Sequence, residues 1–294
     1  MTGWVLGIIG GSGLYQLSGL EDVRHQTVET PWGSPSGQLV RGRLNGVELV
    51  FLARHGKGHH LSPTAINYRA NIHALKRAGV TDILSLSACG SMREELPPGS
   101  FVIVDQYVDR TFAREKSFFG PGCVAHVPMA DPVCKRLSAM AAEAARAAGV
   151  ENVVEGGTYL AMEGPQFSTR AESRLYRSWG MDVIGMTNMP EAKLAREAEL
   201  PYASVCMVTD YDCWREADAD VDINDILQVM RDNGGRAHAL ISALTQAMAA
   251  ETRTPDPAGI GSVLDHAIIT APEHRDPELV ARLATIAGRV LSRA

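Results

Sequence analysis

Apolar positions along this chain follow two alternating rhythms: short unbroken runs, and longer stretches in which apolar residues recur at helical spacing. The short runs predict strands over residues 5–10, 38–44, 48–53, 82–87, 101–105, 153–161, 183–185 and 202–209. The recurrent stretches predict helices over 64–78, 132–148, 168–179, 190–199 and 223–250, with a last one over 277–292. Asp131-Pro132 reads as a cap followed by a first-turn proline, and Gly149 as the stop of the same helix. Residues 251–261, with Pro255, Pro257 and Gly259, break any helix and read as a linker. Alternating strands and helices predict an α/β fold.

At 294 residues, 45 % hydrophobic and 21 % charged, the chain can bury a substantial core in one large domain or two small ones. A net charge of -6 without a long Lys/Arg block argues against a nucleic-acid partner. No stretch reaches the roughly 18 apolar residues of a membrane span, and the amino terminus shows no secretory signal. Cys89, Cys123, Cys134, Cys206 and Cys213 form no CxxC pair and are odd in number, which fits free thiols in a reducing cytoplasm.

Polar chemistry gathers where the predicted strands end, the place where open α/β sheets hold their ligands. After the first strand, Gly10-Gly11-Ser12-Gly13 offers backbone amides and a hydroxyl to an anion, or is simply a tight turn. It is no dinucleotide fingerprint, since Gln16 stands where the third glycine would be. Residues 53–60, Ala-Arg-His-Gly-Lys-Gly-His-His, place Arg54 and His55 beyond another strand, and Arg suits bidentate oxyanion contacts. His55 and His59 have helical metal spacing, but Gly56 and Gly58 oppose a helix and no carboxylate is near in sequence. No metal is therefore expected.

Small residues at Ser85-Leu86-Ser87-Ala88-Cys89-Gly90-Ser91 leave room for a planar ligand against the backbone. In Met162-Glu163-Gly164-Pro165-Gln166-Phe167-Ser168, Phe167 offers a stacking ring, while Ser168 is either a ligand or a helix cap. Thr187 offers a hydroxyl at a strand-to-helix junction, and Asp210-Tyr211-Asp212 closes the run at 202–209. A carboxylate there accepts from an amino group or, when protonated, donates to a ring nitrogen. Asp212 is either part of that chemistry or an acceptor that orients the loop.

Six segments in order, residues 7–14, 53–56, 67–71, 88–91, 163–168 and 209–214, closely resemble the 5'-methylthioadenosine phosphorylases of the trimeric purine nucleoside phosphorylase branch. The resemblance spans about residues 5–250. It implies an α/β fold with a mixed, barrel-like central sheet surrounded by helices. A single domain is expected, with 1–250 as the phosphorylase domain and 251–294 as a linker and helix packing on it. It also implies a homotrimer without metal or cofactor, inorganic phosphate being a co-substrate. The expected reaction is phosphorolysis of 5'-methylthioadenosine to adenine and 5-methylthioribose 1-phosphate.

Carried over by position, the resemblance puts Ser12, Arg54, His55, Ser87, Ala88 and Thr187 around phosphate and Met186 on the ribose. Phe167, Ser168, Asp210 and Asp212 surround the purine, Ile223 and Ile226 flank the methylthio group, and His126 is lent by a neighbouring subunit. Ser12 and Ser87 stand where the family often has Thr, as does Asn188. Asp210, with its pKa raised by burial and by Asp212, is expected to protonate the leaving purine at N7. Three rivals make different predictions: activity on 6-oxopurine nucleosides or methylthioinosine, an Asp-x-Asp metal glycosyltransferase sensitive to chelators, and a sensor that binds without turnover.

Overall fold

The computed structural model describes residues 3–11, 14, 17–215 and 223–292, with 223–227 as backbone alone. Its strands in chain order are β1 (Val5–Gly10), β2 (Glu21–Gln26), β3 (Leu39–Leu44), β4 (Val47–Ala53), β5 (Asp82–Ser91) and β6 (Phe101–Val104). They continue as β7 (Gln106–Asp109), β8 (Val153–Glu155), β9 (Thr158–Ala161), β10 (Val183–Gly185) and β11 (Tyr202–Asp210). The helices are α1 (Tyr68–Arg77), α2 (Lys135–Ala147), α3 (Arg170–Ser178), α4 (Asn188–Glu197), α5 (Ile223–Ala250), α6 (Pro277–Arg282) and α7 (Ala284–Leu291).

All eleven strands belong to one mixed sheet. Its arm β2-β3-β4-β1 leads into β5, which is long enough to hold three partners: β1, β11 and β10. β6 and β8 pair in parallel, and so do their continuations β7 and β9. The single strand expected over 153–161 breaks because Gly156 and Gly157 take φ of +87° and +126°, a region open to glycine. There Gly157 N–H donates to Asp105 Oδ1 at 3.0 Å, so both long segments bend at the same level. The bend carries β9 to β10 while β6 stays on β11, and since β10 and β11 both flank β5 the sheet curls into a barrel-like closure.

Helices cover both faces, so the central strands are apolar on both sides. Neighbouring residues split accordingly: Ile9 and Ile83 pack with α1, α4 and α7, while Ile8 and Leu84 pack with α2 and α5. β2 escaped the sequence reading because Glu-Asp-Val-Arg-His-Gln is an exposed edge with no apolar alternation. The helix expected from Pro132 starts at Lys135 instead, with Cys134 as its cap. Cys134 is held extended by its N–H on the Tyr202 carbonyl at 2.7 Å and its thiol on Asp256 Oδ2 at 2.8 Å. The last predicted helix divides into α6 and α7 around the buried Leu283.

The stretch after residue 250 lies against the same body. Arg253 and Arg136 share the fully buried Asp82 at 2.6 Å each, and Arg289 pairs with Glu199, which also accepts from Leu264 N–H. No helix among the described residues is long and apolar enough to cross a membrane.

Candidate active site

β1, β4, β5 and β11 are mutually parallel neighbours, so their carboxyl ends gather on one side. Arg54 leaves β4 there, its N–H on the Gly10 carbonyl at 2.9 Å. Its guanidinium is buried at 3 % exposure and gripped by a residue the sequence reading passed over, Glu191, itself 2 % exposed. Nε and Nη2 donate to the two Glu191 oxygens at 2.8 and 2.9 Å, Nη2 also to Ser85 Oγ at 2.6 Å, and Nη1 to the Leu86 carbonyl at 3.3 Å. One Nη1 N–H remains uncommitted among the described partners. Burial opposes the charge, but Glu191 outweighs it and holds the pKa above its ordinary value. Ser85 and Tyr202 hydroxyls, at 2.8 and 2.9 Å, complete the Glu191 shell.

His55 follows on the same loop, with Nδ1 2.9 Å from the Leu61 carbonyl. Burial chiefly, with the positive Arg54 adding, lowers its pKa to about 4. Its ring stacks on His59 at 4.0 Å, and His60 turns to the Lys57 carbonyl. Among the described residues no group of three or more His, Cys, Asp and Glu side chains is placed to hold a metal ion.

On β5, Ser87 is buried and donates to Asn188 Oδ1 at 3.1 Å, whereas Ala88 is exposed between two buried residues and so borders open space. Asn188 is fully buried and donates to Ser204 Oγ at 2.6 Å. Thr187 is the N-cap residue of α4 but spends no side-chain hydrogen bond on capping. Ser12 lies outside the described residues, as do the side chains of Ile223 and Ile226.

Asp210 ends β11 beside Gly90, where an added Cβ would sit 3.0 Å from Asp210 Oδ1 and 3.4 Å from Asp212 Cβ. Its oxygens accept from Asp212 N–H at 2.8 Å and Thr209 Oγ1 at 2.7 Å. Burial raises its pKa. The expected push from the Asp212 charge is not the cause: Asp212 contributes its N–H, which favours the ionised form. Asp212 turns out of the strand with φ +52°, and its buried Oδ2 has no hydrogen-bond partner among the described residues. Burial raises its pKa too, against the nearby Ser173 hydroxyl. Trp214 anchors the segment by donating to the Ser91 carbonyl at 2.7 Å.

The choice left open at Ser168 is resolved against capping. Thr169 caps α3 and closes a capping box with Glu172, while buried Ser168 points its hydroxyl at Met162 Sδ, 3.7 Å away. Phe167 beside it is 65 % exposed. Met186 lies so close over Gly164 that a Cβ there would meet its Sδ at 2.5 Å, which joins the 163–168 and 185–188 segments. His126 is exposed on a two-stranded ribbon, its N–H on the Ala267 carbonyl at 2.9 Å. The bridge between Ala125 and Ile268 puts His126 on the same ribbon face as exposed Ile269.

Behind these segments stands a second unforeseen pair, Arg114 and Glu163, 3.0 Å apart. Arg114 also donates to the Met162, Glu163 and Met189 carbonyls and to Tyr68 Oη. Burial would raise the Glu163 pKa, but hydrogen bonds from Thr64, Phe112 N–H, Ala113 N–H and Arg114 lower it to about 2. A carboxylate with a depressed folded pKa stabilises above its ordinary value of about 4.3 and stops doing so as pH falls through the folded one. Urea midpoints of the parent and of Glu163→Gln are therefore expected to converge between about pH 5 and 2; a gap constant across that range would show that the ionised form contributes nothing.

A model of the Phosphorylase superfamily matches residues 5–246. The S-methyl-5'-thioadenosine phosphorylase of Cereibacter sphaeroides is 62 % identical over 98 % of both chains, and that of Bradyrhizobium diazoefficiens 59 % over 99 % of both. The crystal structure of a methylthioadenosine phosphorylase from an Antarctic soil metagenomic library superposes with TM-score 0.90 at 44 % identity, covering 97 % of this chain and 99 % of that one. Methylthioadenosine phosphorylase from Schistosoma mansoni, in complex with adenine, gives 0.83 at 37 % identity over 89 % and 97 %. At such identity over nearly its whole length, the chain belongs to the Phosphorylase superfamily, and within it to the S-methyl-5'-thioadenosine phosphorylases.

Proposed function

We propose that the protein catalyses phosphorolysis of 5'-methylthioadenosine to adenine and 5-methylthioribose 1-phosphate. The observation that carries this reading is the placement of the half-buried acid Asp210 against Gly90, just beyond Ala88 on the strand that also holds Ser87. Cleavage of the N-glycosidic bond builds positive charge on the ribose and negative charge on the purine, and the site must stabilise both. In this reading phosphate sits among Arg54, His55, Ser87, Ala88, Thr187 and Ser12, offsets the ribosyl cation and bonds to C1'. The C1'–N9 electron pair leaves with the purine, and Asp210 gives its proton to N7. Asp212 holds the loop, Phe167 and Ser168 bound the purine, Met186 the ribose, and Ile223 and Ile226 the methylthio end.

Phosphate is the co-substrate, with no metal or other cofactor called on. The working assembly is a cytoplasmic homotrimer in which the exposed His126 reaches a neighbour's site. The purified protein should release adenine only when phosphate is present, faster from 5'-methylthioadenosine than from adenosine. Hypoxanthine released faster from inosine or methylthioinosine would overturn the base assignment, and binding without turnover would make the protein a sensor.

Gly90 gives a sharper check on the placement of Asp210. In Gly90→Ala the new Cβ meets Asp210 Oδ1 at 3.0 Å and Ile184 Cγ2 at 3.1 Å, so the carboxylate must shift by a few tenths of an ångström. A kcat lowered by about two- to tenfold, with phosphate KM unchanged, is expected, because misplacing a reacting group costs up to about a hundredfold per ångström. A parental kcat would mean that Asp210 has no strict position to keep.

A further inference from the structure

Arg54 is the cation placed to meet phosphate, yet its charge is already matched by Glu191 and four of its five N–H donors are committed. His55 adds no second cation. The Leu61 carbonyl, 2.9 Å from Nδ1, can only accept, so the neutral ring keeps its proton on Nδ1 and its lone pair on Nε2. Burial preserves that neutral form, with the pKa lowered to about 4. Ser87 follows the same pattern. Its O–H is spent on Asn188 Oδ1, and Asn188 is oriented by donating to Ser204, so Ser87 turns lone pairs to any other partner.

We propose that this subsite selects a tetrahedral oxyanion that still carries an O–H, hydrogen phosphate or hydrogen arsenate, over sulfate, with His55 Nε2 as the acceptor that reads the proton. The proposal rests on the phosphorolysis reading and adds the form of the anion. At neutral pH phosphate and arsenate keep at least one O–H, which Nε2 accepts, whereas sulfate keeps none and sets lone pairs against lone pairs. An acceptor buried against an acceptor lowers binding by about ten- to hundredfold.

Calorimetric titration of the unaltered protein with sodium phosphate, arsenate and sulfate tests this directly, and the same preparation is assayed for adenine release. Phosphate and arsenate are expected to bind within about threefold of one another and sulfate at least about tenfold more weakly. Sulfate binding as tightly as phosphate overturns the inference whatever the activity. Selective binding without phosphate-dependent adenine release overturns the phosphorolysis reading instead and leaves the anion preference standing. His55→Gln carries an amide that can rotate to donate, so the phosphate-to-sulfate preference is expected to shrink by about tenfold. A preference unchanged in that variant removes His55 as the reader.

Discussion

Asp210→Asn is expected to lower kcat on 5'-methylthioadenosine by about 10²–10⁴-fold, the range a positioned general acid supplies. The amide keeps the size of the side chain: its oxygen still accepts from Asp212 N–H, while its NH2 donates to Thr209 Oγ1, whose own O–H turns to the Cys89 carbonyl, so the turn survives while the transferable proton does not. Phosphate KM should stay near the parental value, because β5 and β1 separate β11, which ends at Asp210, from β4, which leads into Arg54 and His55. Burial raises the Asp210 pKa, which extends the protonated, donating form to higher pH than an exposed aspartate allows. Parental kcat should therefore fall as pH rises through that shifted value, and the residual rate of the variant should not follow it. The variant's relative rate on methylthioinosine should rise, since an amide NH2 can donate to a 6-oxo group, against which the accepting oxygen of the parental carboxyl group sets only lone pairs. A variant within about threefold of the parent would remove Asp210 as the proton donor.

Glu191→Ala is expected to cost about 3–5 kcal/mol of stability, the penalty for leaving one member of a buried ion pair uncompensated. Both partners are nearly inaccessible, and Glu191 also holds the Ser85 and Tyr202 hydroxyls. Activity should vanish with it, because the uncommitted Arg54 N–H is aimed only while Glu191 fixes the guanidinium plane. The double variant Arg54→Met/Glu191→Leu separates the two roles: apolar residues of similar volume often replace a buried pair at little cost. Its urea midpoint should return most of the way to the parental one while phosphorolysis stays lost. A single variant as stable as the parent, or a double variant with parental activity, would each contradict this account.

The positions of several candidate site residues were legible because they sit at strand ends, and strand ends are set by local pattern. The run at 202–209 predicts β11 to within a residue and with it the place of Asp210; Ala53 likewise predicts where Arg54 and His55 begin. Local chemistry misled where two neighbours compete for one role. Ser168 and Thr169 both have a hydroxyl suited to capping, and only the geometry of Glu172 selects Thr169. Asp131-Pro132 looks like a helix start, but the tie of Cys134 to Tyr202 and Asp256 delays the first turn to Lys135.

What the sequence by itself determined is the α/β alternation, the family and the identity of the groups beyond the strand ends, since periodicity and short motifs act over a few residues. The tertiary structure decided how those groups are charged and held. Glu191 meets Arg54 across 137 residues, Glu163 meets Arg114 across 49, and Ser87 meets Asn188 across 101. Buried polar groups must find partners wherever packing brings one within reach, so pairing and pKa shifts depend on the assembled core rather than on neighbours along the chain. The same holds for the bend at Gly156 and Gly157: the glycines permit it, but only the pairing of β9 with β10 and of β6 with β11 turns it into a closure.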